Sequence, residues 1–327
     1  METHTGRSGS TTERKSIMEQ IAICGTGRIA AGIATLLTGN SLPVLIFGRS
    51  EQSMERFRGT VAVNWDDLIR EGLAKEENKR AAMALLSFTT DPSLLADRTF
   101  VFEAVAEELG VKGQVYAQIE SSTKEGTVIA STTSSISADL LQSVSSRPEY
   151  LLIAHPFQPA HMLPLFEVVQ GEKTCEDAAV RTVNLLESVD REVVRLKKCL
   201  PGFLVNRFAQ ALFRESLYLI EQGVTTAEEI DRAIKYAMGM RYASIGLLEY
   251  FDDVGFSLEK QIAENIYPDL HSTPEIQDIV LSGLASGQTG LAAGKGLYDW
   301  SGKDLDDYRR RKQSPYFERV KNWNMPE

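Results

Sequence analysis

Two side chains in this sequence could move a proton together. His155 ends the apolar run 150–155 (YLLIAH), and Glu167 sits inside the next one, 165–169 (LFEVV). Pro and Gly flank both runs, so each reads as a short buried strand. A histidine at the end of one strand can reach a carboxylate on its neighbour. Burial favours the neutral, basic imidazole, while the carboxylate fixes its tautomer and steadies the imidazolium formed on proton uptake. The plainer alternative is a core histidine with satisfied hydrogen bonds.

A second chemistry is written near the start. Gly25-Thr26-Gly27-Arg28-Ile29-Ala30 directly follows the apolar run 21–24 and fits G-x-G-x-x-A. Gly25 permits a tight turn, Gly27 lets the backbone approach a pyrophosphate, and Ala30 keeps the helix close to the sheet. The pyrophosphate then rests on the N–H groups of the first helical turn, which holds Arg28 and Ile29. The second strand should end in an acid that binds the ribose 2′-hydroxyl of NAD. It ends Ile46-Phe47-Gly48-Arg49-Ser50, with glycine in the acid's place. Arg49 and Ser50 offer a guanidinium and a hydroxyl of the kind that hold a 2′-phosphate, so the cofactor is NADP or NAD, with NADP favoured. The alternative for Arg49 is stacking on the adenine.

Both sites need a scaffold, and the rest of the chain supplies one. Short apolar runs at 21–24, 43–47, 99–103, 127–131, 150–155, 165–169 and 192–196 alternate with amphipathic stretches. That alternation predicts an α/β fold, a Rossmann-type wound and mostly parallel sheet. A charged helical stretch at about 66–86 is expected to be an insertion that covers the active site. After Leu200-Pro201-Gly202 the pattern becomes helical throughout. The stretch 203–222 is apolar on more than one stripe and should be buried on most sides, which predicts packing against a second subunit, most simply a twofold dimer. Three segments follow: a disordered N-terminal extension at 1–18, a dinucleotide-binding domain with its helical insertion at 19–200, and a helical dimerisation and substrate domain with a C-terminal tail at 201–327.

Composition limits the partners. A net charge of −10 disfavours nucleic acid and anionic lipid, and no apolar run is long enough to span a bilayer. Cys24, Cys175 and Cys199 lack metal-like spacing and are too few for a disulfide framework, which suits a reducing cytoplasm.

Taken in order, GTGRIAAGIA, FVFEAVAEELGVK, STTSSIS at 131–137, HPFQPAHMLPLFEVVQGEKT at 155–174, PGFLVNRF at 201–208 and GKGLYDW at 294–300 resemble the 3-hydroxyacyl-CoA dehydrogenase family. The resemblance runs from about residue 19 to residue 300. It implies an active site lined by Ser134, His155, Glu167 and Asn206, with Glu107 and Lys112 beside the nicotinamide side of the cofactor and no metal. There are departures. Gln158 stands where the family's H-x-x-N-P has asparagine, and His161 and Met240-Arg241-Tyr242-Ala243 replace features of the fatty-acid oxidation members. In these the chain is more similar to the branch holding L-gulonate and carnitine dehydrogenases and lens lambda-crystallin. Arg241 is expected either to meet a carboxylate within the protein or to await an anionic group of the substrate. The expected activity is NAD(P)-dependent interconversion of a 3-hydroxyl and a 3-oxo group, foremost on a short-chain 3-hydroxyacyl-CoA. One alternative is a dehydrogenase of a free hydroxy acid, with Arg241 as its carboxylate clamp. Another is a non-catalytic crystallin-like relative, against which the intact Ser, His, Glu and Asn set argues.

Overall fold

The structure is a computed structural model that describes residues 19–323, so the expected N-terminal extension lies outside the described residues. Its strands are β1 (Ile21–Cys24), β2 (Val44–Phe47), β3 (Leu86–Thr89), β4 (Phe100–Glu103), β5 (Val128–Ser131), β6 (Leu151–Pro156), β7 (Leu165–Val169) and β8 (Glu192–Leu196). They form one sheet in the order β3-β2-β1-β4-β5-β6-β7-β8. Every neighbouring pair runs parallel except β6 and β7. Helices α1 (Arg28–Gly39), α2 (Glu51–Arg70), α3 (Glu76–Ala84), α4 (Leu109–Ser122), α5 (Ala138–Gln142) and α6 (Glu176–Glu187) connect the strands. A parallel sheet covered on both faces wants apolar residues at successive positions, not alternate ones. IAIC in β1 and FVFE in β4 are buried at every position. The strand order places the topological switch between β1 and β4, and in such sheets ligands bind beyond the carboxyl ends of the strands there.

The stretch at 66–86 differs from the expectation of an insertion over the active site. Its first residues end the long α2, a turn intervenes, and α3 leads straight into β3. Phe57, Val61 and Trp65 form the buried stripe of α2, spaced by one helical turn. That face meets α1: Asn64 Nδ2 donates to Thr35 Oγ1 at 3.0 Å, and a methyl group on Gly39 would lie 3.4 Å from the Trp65 ring. The segment is therefore a crossover packed on α1. Strand β3 escapes a pattern reading because only Leu86 and Thr89 of LSFT are buried and no turn residues separate it from α3.

The described chain divides into two compact units, Gly202–Pro315 and the remainder. The helical unit holds α7 (Val205–Glu221), α8 (Ala227–Ala233), a π-helical segment at Ile234–Gly239, α9 (Met240–Tyr242), α10 (Leu247–Val254), α11 (Phe256–Ile266) and α12 (Asp278–Ala285). A further helix, α13 (Leu305–Trp323), occupies the region expected as a tail. Burial of α7 on most sides is not met within one chain. Leu217 is its one buried residue, while Phe208, Leu212 and Phe213 are 53%, 46% and 43% exposed. Both apolar stripes read from sequence are present, but their neighbours in the chain cover them only in part. Among the described residues no helix is long and apolar enough to cross a membrane.

Candidate active site

His155 and Glu167 stand directly opposite each other on the antiparallel pair β6 and β7. His155 Nδ1 lies 2.9 Å from Glu167 Oε2, with His155 buried and Glu167 wholly so. The reversal at β7 makes this possible. It returns the chain past the carboxyl end of β6 and points an inward carboxylate at the ring. With Glu167 accepting the Nδ1 proton, the basic lone pair belongs to Nε2. The Phe157 ring packs edge-on against the imidazole, 4.8 Å between centroids, and fixes its plane further.

The glycine turn after β1 has the shape a dinucleotide requires. Gly25 adopts φ +125°, and a Cβ there would fall 2.3 Å from the Ala104 carbonyl oxygen at the end of β4. Gly27 is the N-cap of α1, and a Cβ there would meet nothing within 4 Å. The open space above Gly27 lets an anion reach the backbone N–H groups of the first turn, so these residues fit a pyrophosphate. Ala30 is fully buried, which holds α1 on the sheet. Arg28 is exposed and Ile29 half-buried at the helix start.

At the end of β2, Gly48 is buried, and a Cβ on it would come within 3.0 Å of Met54 Cγ and 3.1 Å of Thr26 Cγ2. The place of the usual acid is thus occupied by neighbouring side chains. Ser50 caps α2, its hydroxyl accepting from the Ser53 N–H at 3.3 Å. Arg49 is exposed and forms no ion pair among the described residues.

Ser134 lies in the loop between β5 and α5, beyond the same sheet edge as His155. Its backbone N–H donates to Glu107 Oε1 at 3.2 Å, while its hydroxyl has no partner among the described residues. Glu107 and Lys112 both occur near this edge, and Lys112 Nζ is 3.4 Å from Glu107 Oε2. Lys112 is buried rather than solvated because of a residue the motifs did not single out. Glu103 ends β4 fully buried and accepts from Lys112 Nζ at 2.8 and 3.0 Å, Tyr116 Oη–H at 2.9 Å, Ser131 Oγ–H at 2.7 Å and the Val105 N–H at 2.9 Å. An ionised carboxylate in the interior is tolerable only with such partners. Burial, and then the Glu103 charge, push the Tyr116 phenol well above its ordinary range. The signal was present in the sequence: an acid closing an apolar strand, with Lys112 and Tyr116 one helical turn apart on the following helix.

The two remaining candidates belong to the helical unit. Asn206 is half-buried in the first turn of α7. Arg241 follows the π-helical segment in the short α9, and π-type turns inside helices recur at functional positions. The internal carboxylate considered for Arg241 is absent among the described residues. Its guanidinium is exposed and lies over the Tyr250 ring, 4.1 Å from the centroid. His161, in contrast, is largely buried with Nδ1 unpartnered among the described residues, and burial, with Arg191 assisting and Asp67 opposing, holds its imidazole down at about 4.

Residues 20–199 match the family model of the 3-hydroxyacyl-CoA dehydrogenase NAD binding domain, and residues 202–300 match that of the 3-hydroxyacyl-CoA dehydrogenase C-terminal domain. An L-carnitine dehydrogenase of Staphylococcus epidermidis is 32% identical over 285 residues, 83% of this chain and 87% of that protein. Among solved structures, 5-formyl-3-hydroxy-2-methylpyridine 4-carboxylic acid 5-dehydrogenase, described as an NAD+ dependent dismutase, superposes with a TM-score of 0.83 at 28% identity, covering 94% of this chain and 99% of its own. The (S)-3-hydroxybutyryl-CoA dehydrogenase of Ralstonia eutropha gives a TM-score of 0.71 at 28% identity, covering 86% and 98%.

Proposed function

The chain belongs to the 3-hydroxyacyl-CoA dehydrogenase family, whose members are NAD-dependent oxidoreductases, and we propose that it interconverts a secondary hydroxyl and an oxo group on a small substrate that carries a free carboxylate. The observation that carries the reaction is the buried His155 and Glu167 pair in register across β6 and β7. In the oxidative direction His155 Nε2 takes the hydroxyl proton, and Glu167 stabilises the imidazolium that results. In reduction the same imidazolium returns the proton to the forming alkoxide. Ser134 and Asn206 donate hydrogen bonds to substrate oxygens. The nicotinamide, when bound, supplies the hydride acceptor or donor. Gly25, Gly27 and the α1 N-terminus hold the pyrophosphate, with Arg28, Ile29 and Ala30 in that first turn.

The free carboxylate is supported by Arg241, a guanidinium without a carboxylate partner among the described residues, and by relatives named for carnitine and for a pyridine carboxylic acid. A short-chain 3-hydroxyacyl-CoA is the second reading, supported by the family's own description and the hydroxybutyryl-CoA dehydrogenase neighbour. Initial rates with acetoacetyl-CoA against a panel of free 3-oxo acids decide between them. Efficiency at least tenfold higher for a free acid is expected, and the reverse preference would return the substrate to the thioester.

The 2′-phosphate of NADP is the finer proposal for the cofactor, resting on the crowded Gly48 and on Arg49, exposed and without an ion pair among the described residues. Arg49→Ala should lower the NADPH to NADH efficiency ratio about tenfold, as loss of one charge-assisted hydrogen bond implies. A wild-type protein that already favours NADH strongly removes this point. For assembly we propose a homodimer through the helical unit. The reading is supported by the open side of α7, where Phe208, Leu212 and Phe213 are exposed, and by an adjoining cavity of ≈ 820 Å³ lined by Phe213, Ile220, Leu284, Leu297 and Trp300 among others, apolar surface that association would cover. A cytoplasmic setting suits the three free cysteines.

A further inference from the structure

We propose that Glu107 is a positioning residue for the Ser134 loop, held in place by the buried Glu103 and Lys112 pair. The inference rests on the dehydrogenase reading for the role of Ser134, and on geometry alone for the role of Glu107. Glu107 follows β4 by four residues, yet its carboxylate accepts its hydrogen bonds from the loop after β5. Its Oε1 accepts from the Ser134 N–H at 3.2 Å, the Ser135 N–H at 3.2 Å, the Ser135 hydroxyl at 2.8 Å and the Thr133 hydroxyl. Thr133 Oγ1 in turn accepts from the N–H groups of Ser135 and Ile136 at 3.3 and 3.0 Å. One carboxylate oxygen therefore gathers three consecutive residues into a tight turn with Ser134 at its centre. The other oxygen, Oε2, faces Lys112 Nζ at 3.4 Å.

Lys112 is the hinge of the arrangement. It is 1% exposed and already bonded to both oxygens of Glu103, so its ammonium cannot follow Glu107 outward. Glu103 is held by four donors, from the loop after β4, from α4 and from β5. The chain of charges runs from a buried carboxylate, through a buried ammonium, to a carboxylate that is partly open to solvent. Burial opposes the ionised form of Glu107, but hydrogen bonds from Thr133 and Ser135, with Lys112 behind them, outweigh it and hold the carboxyl below its usual range. A carboxylate whose ionised form is favoured and which accepts from four donors is a strong clamp. What it leaves unclamped is the Ser134 hydroxyl, which the loop holds out with its backbone fixed. This is the form of support a substrate-orienting hydroxyl needs, because errors near an ångström in such a group cost large factors in rate.

A role for Glu107 in holding the cofactor makes a different prediction, so the two can be separated. The experiment uses the full chain with saturating NADH or NADPH, whichever binds tighter, and the variants Glu107→Ala, Glu107→Gln, Ser134→Ala and Glu107→Ala with Ser134→Ala. Amide hydrogen exchange is followed for residues 132–136, alongside kcat and the dissociation constant of the reduced cofactor from its fluorescence. Glu107→Ala should speed exchange of the Ser134 and Ser135 amides at least tenfold and lower kcat, with cofactor affinity changed less than about threefold. Glu107→Gln should fall between, since its carbonyl still accepts but Lys112 no longer attracts it. In the Ser134→Ala background the kcat loss from Glu107→Ala should shrink to within about twofold. Unchanged exchange in the loop overturns the proposal, as does a tenfold fall in cofactor affinity with kcat losses that multiply in the double variant. Failure of the dehydrogenase reading would look different: His155→Gln would retain its turnover, while the exchange result would still decide the fate of the clamp.

Discussion

The sheet-bearing unit hides its charges, and the helical unit displays its apolar side chains. In the first, Glu103, Lys112 and Glu167 are buried almost completely, and each has a close partner of opposite or complementary character. In the second, Phe208, Leu212, Phe213 and Leu284 lie open although they belong to helices with apolar faces. Burying an ionised group costs several kcal/mol unless paired, so a fold that does so at the carboxyl ends of its strands has placed those groups for positioning and chemistry. Leaving contiguous apolar surface in water has the opposite meaning, because it is removed by association. On the reading proposed above, proton transfer belongs to one unit and contacts with other molecules to the other.

His155→Gln tests the first half most severely. Turnover should fall by roughly two to four decades, the usual contribution of a general base, while binding of reduced cofactor stays within about twofold of wild type. Turnover near the wild-type value would leave the β6 and β7 pair a purely structural feature.

His161 offers the next effect, on stability instead of rate. Its folded value of about 4 lies below the ordinary 6.5, with Asp67 raising it and Arg191 lowering it beside the dominant burial. Between those values the unfolded chain binds the proton and the folded chain does not. Stability therefore falls as pH drops from 6.5 toward 4, by up to about 3 kcal/mol if the whole difference is realised. Urea unfolding of wild type and His161→Gln at pH 7.5 and pH 4.5 measures it. Other groups titrate in both proteins, so the prediction concerns the difference: the variant should lose less stability on acidification, and equal losses would place His161 in a hydrated setting.

How much of this was legible in the sequence follows from how local each signal is. The G-x-G-x-x-A turn, seven of the eight strands and the facing of His155 and Glu167 depend on runs of a few residues, and the structure has them within a residue or two. Strand β3 did not show because its apolar pattern is two residues long and its place at the sheet edge is set by α2 and α3 packing on α1. Glu103 stayed hidden for another reason. At the end of FVFE it reads as a strand terminus meeting water, and only the return of Lys112 and Tyr116 along α4 reveals it as an interior anchor. The apolar character of α7 was legible, but not what covers it, since amphipathicity states how much surface needs cover without saying which molecule provides it.

That point gives the helical unit its own test. Phe208→Glu with Leu212→Glu places two charges on the exposed side of α7. In sedimentation velocity the proposed dimer should weaken at least a hundredfold, as loss of two central apolar anchors implies. Monomer helicity by circular dichroism should hold, because neither side chain is buried within the chain. An unchanged sedimentation coefficient would move the dimer contact elsewhere or remove it.

Arg241→Met is the mildest change and the most specific. In a folded chain the guanidinium contributes stacking on Tyr250, worth about 0.5 to 1 kcal/mol at an exposed position, and methionine retains part of that contact. The melting temperature should thus shift by only a few degrees at most. If Arg241 pairs with a substrate carboxylate, the Michaelis constant for a free 3-oxo acid should rise about tenfold or more, as expected for a lost charge-assisted interaction, and kcat should change little. Acetoacetyl-CoA gives the internal control, because its thioester lacks that carboxylate. A rise confined to free acids would tie the exposed cation of α9 to substrate choice, whereas equal small changes for both substrates would leave Arg241 as a surface stack and strengthen the thioester reading.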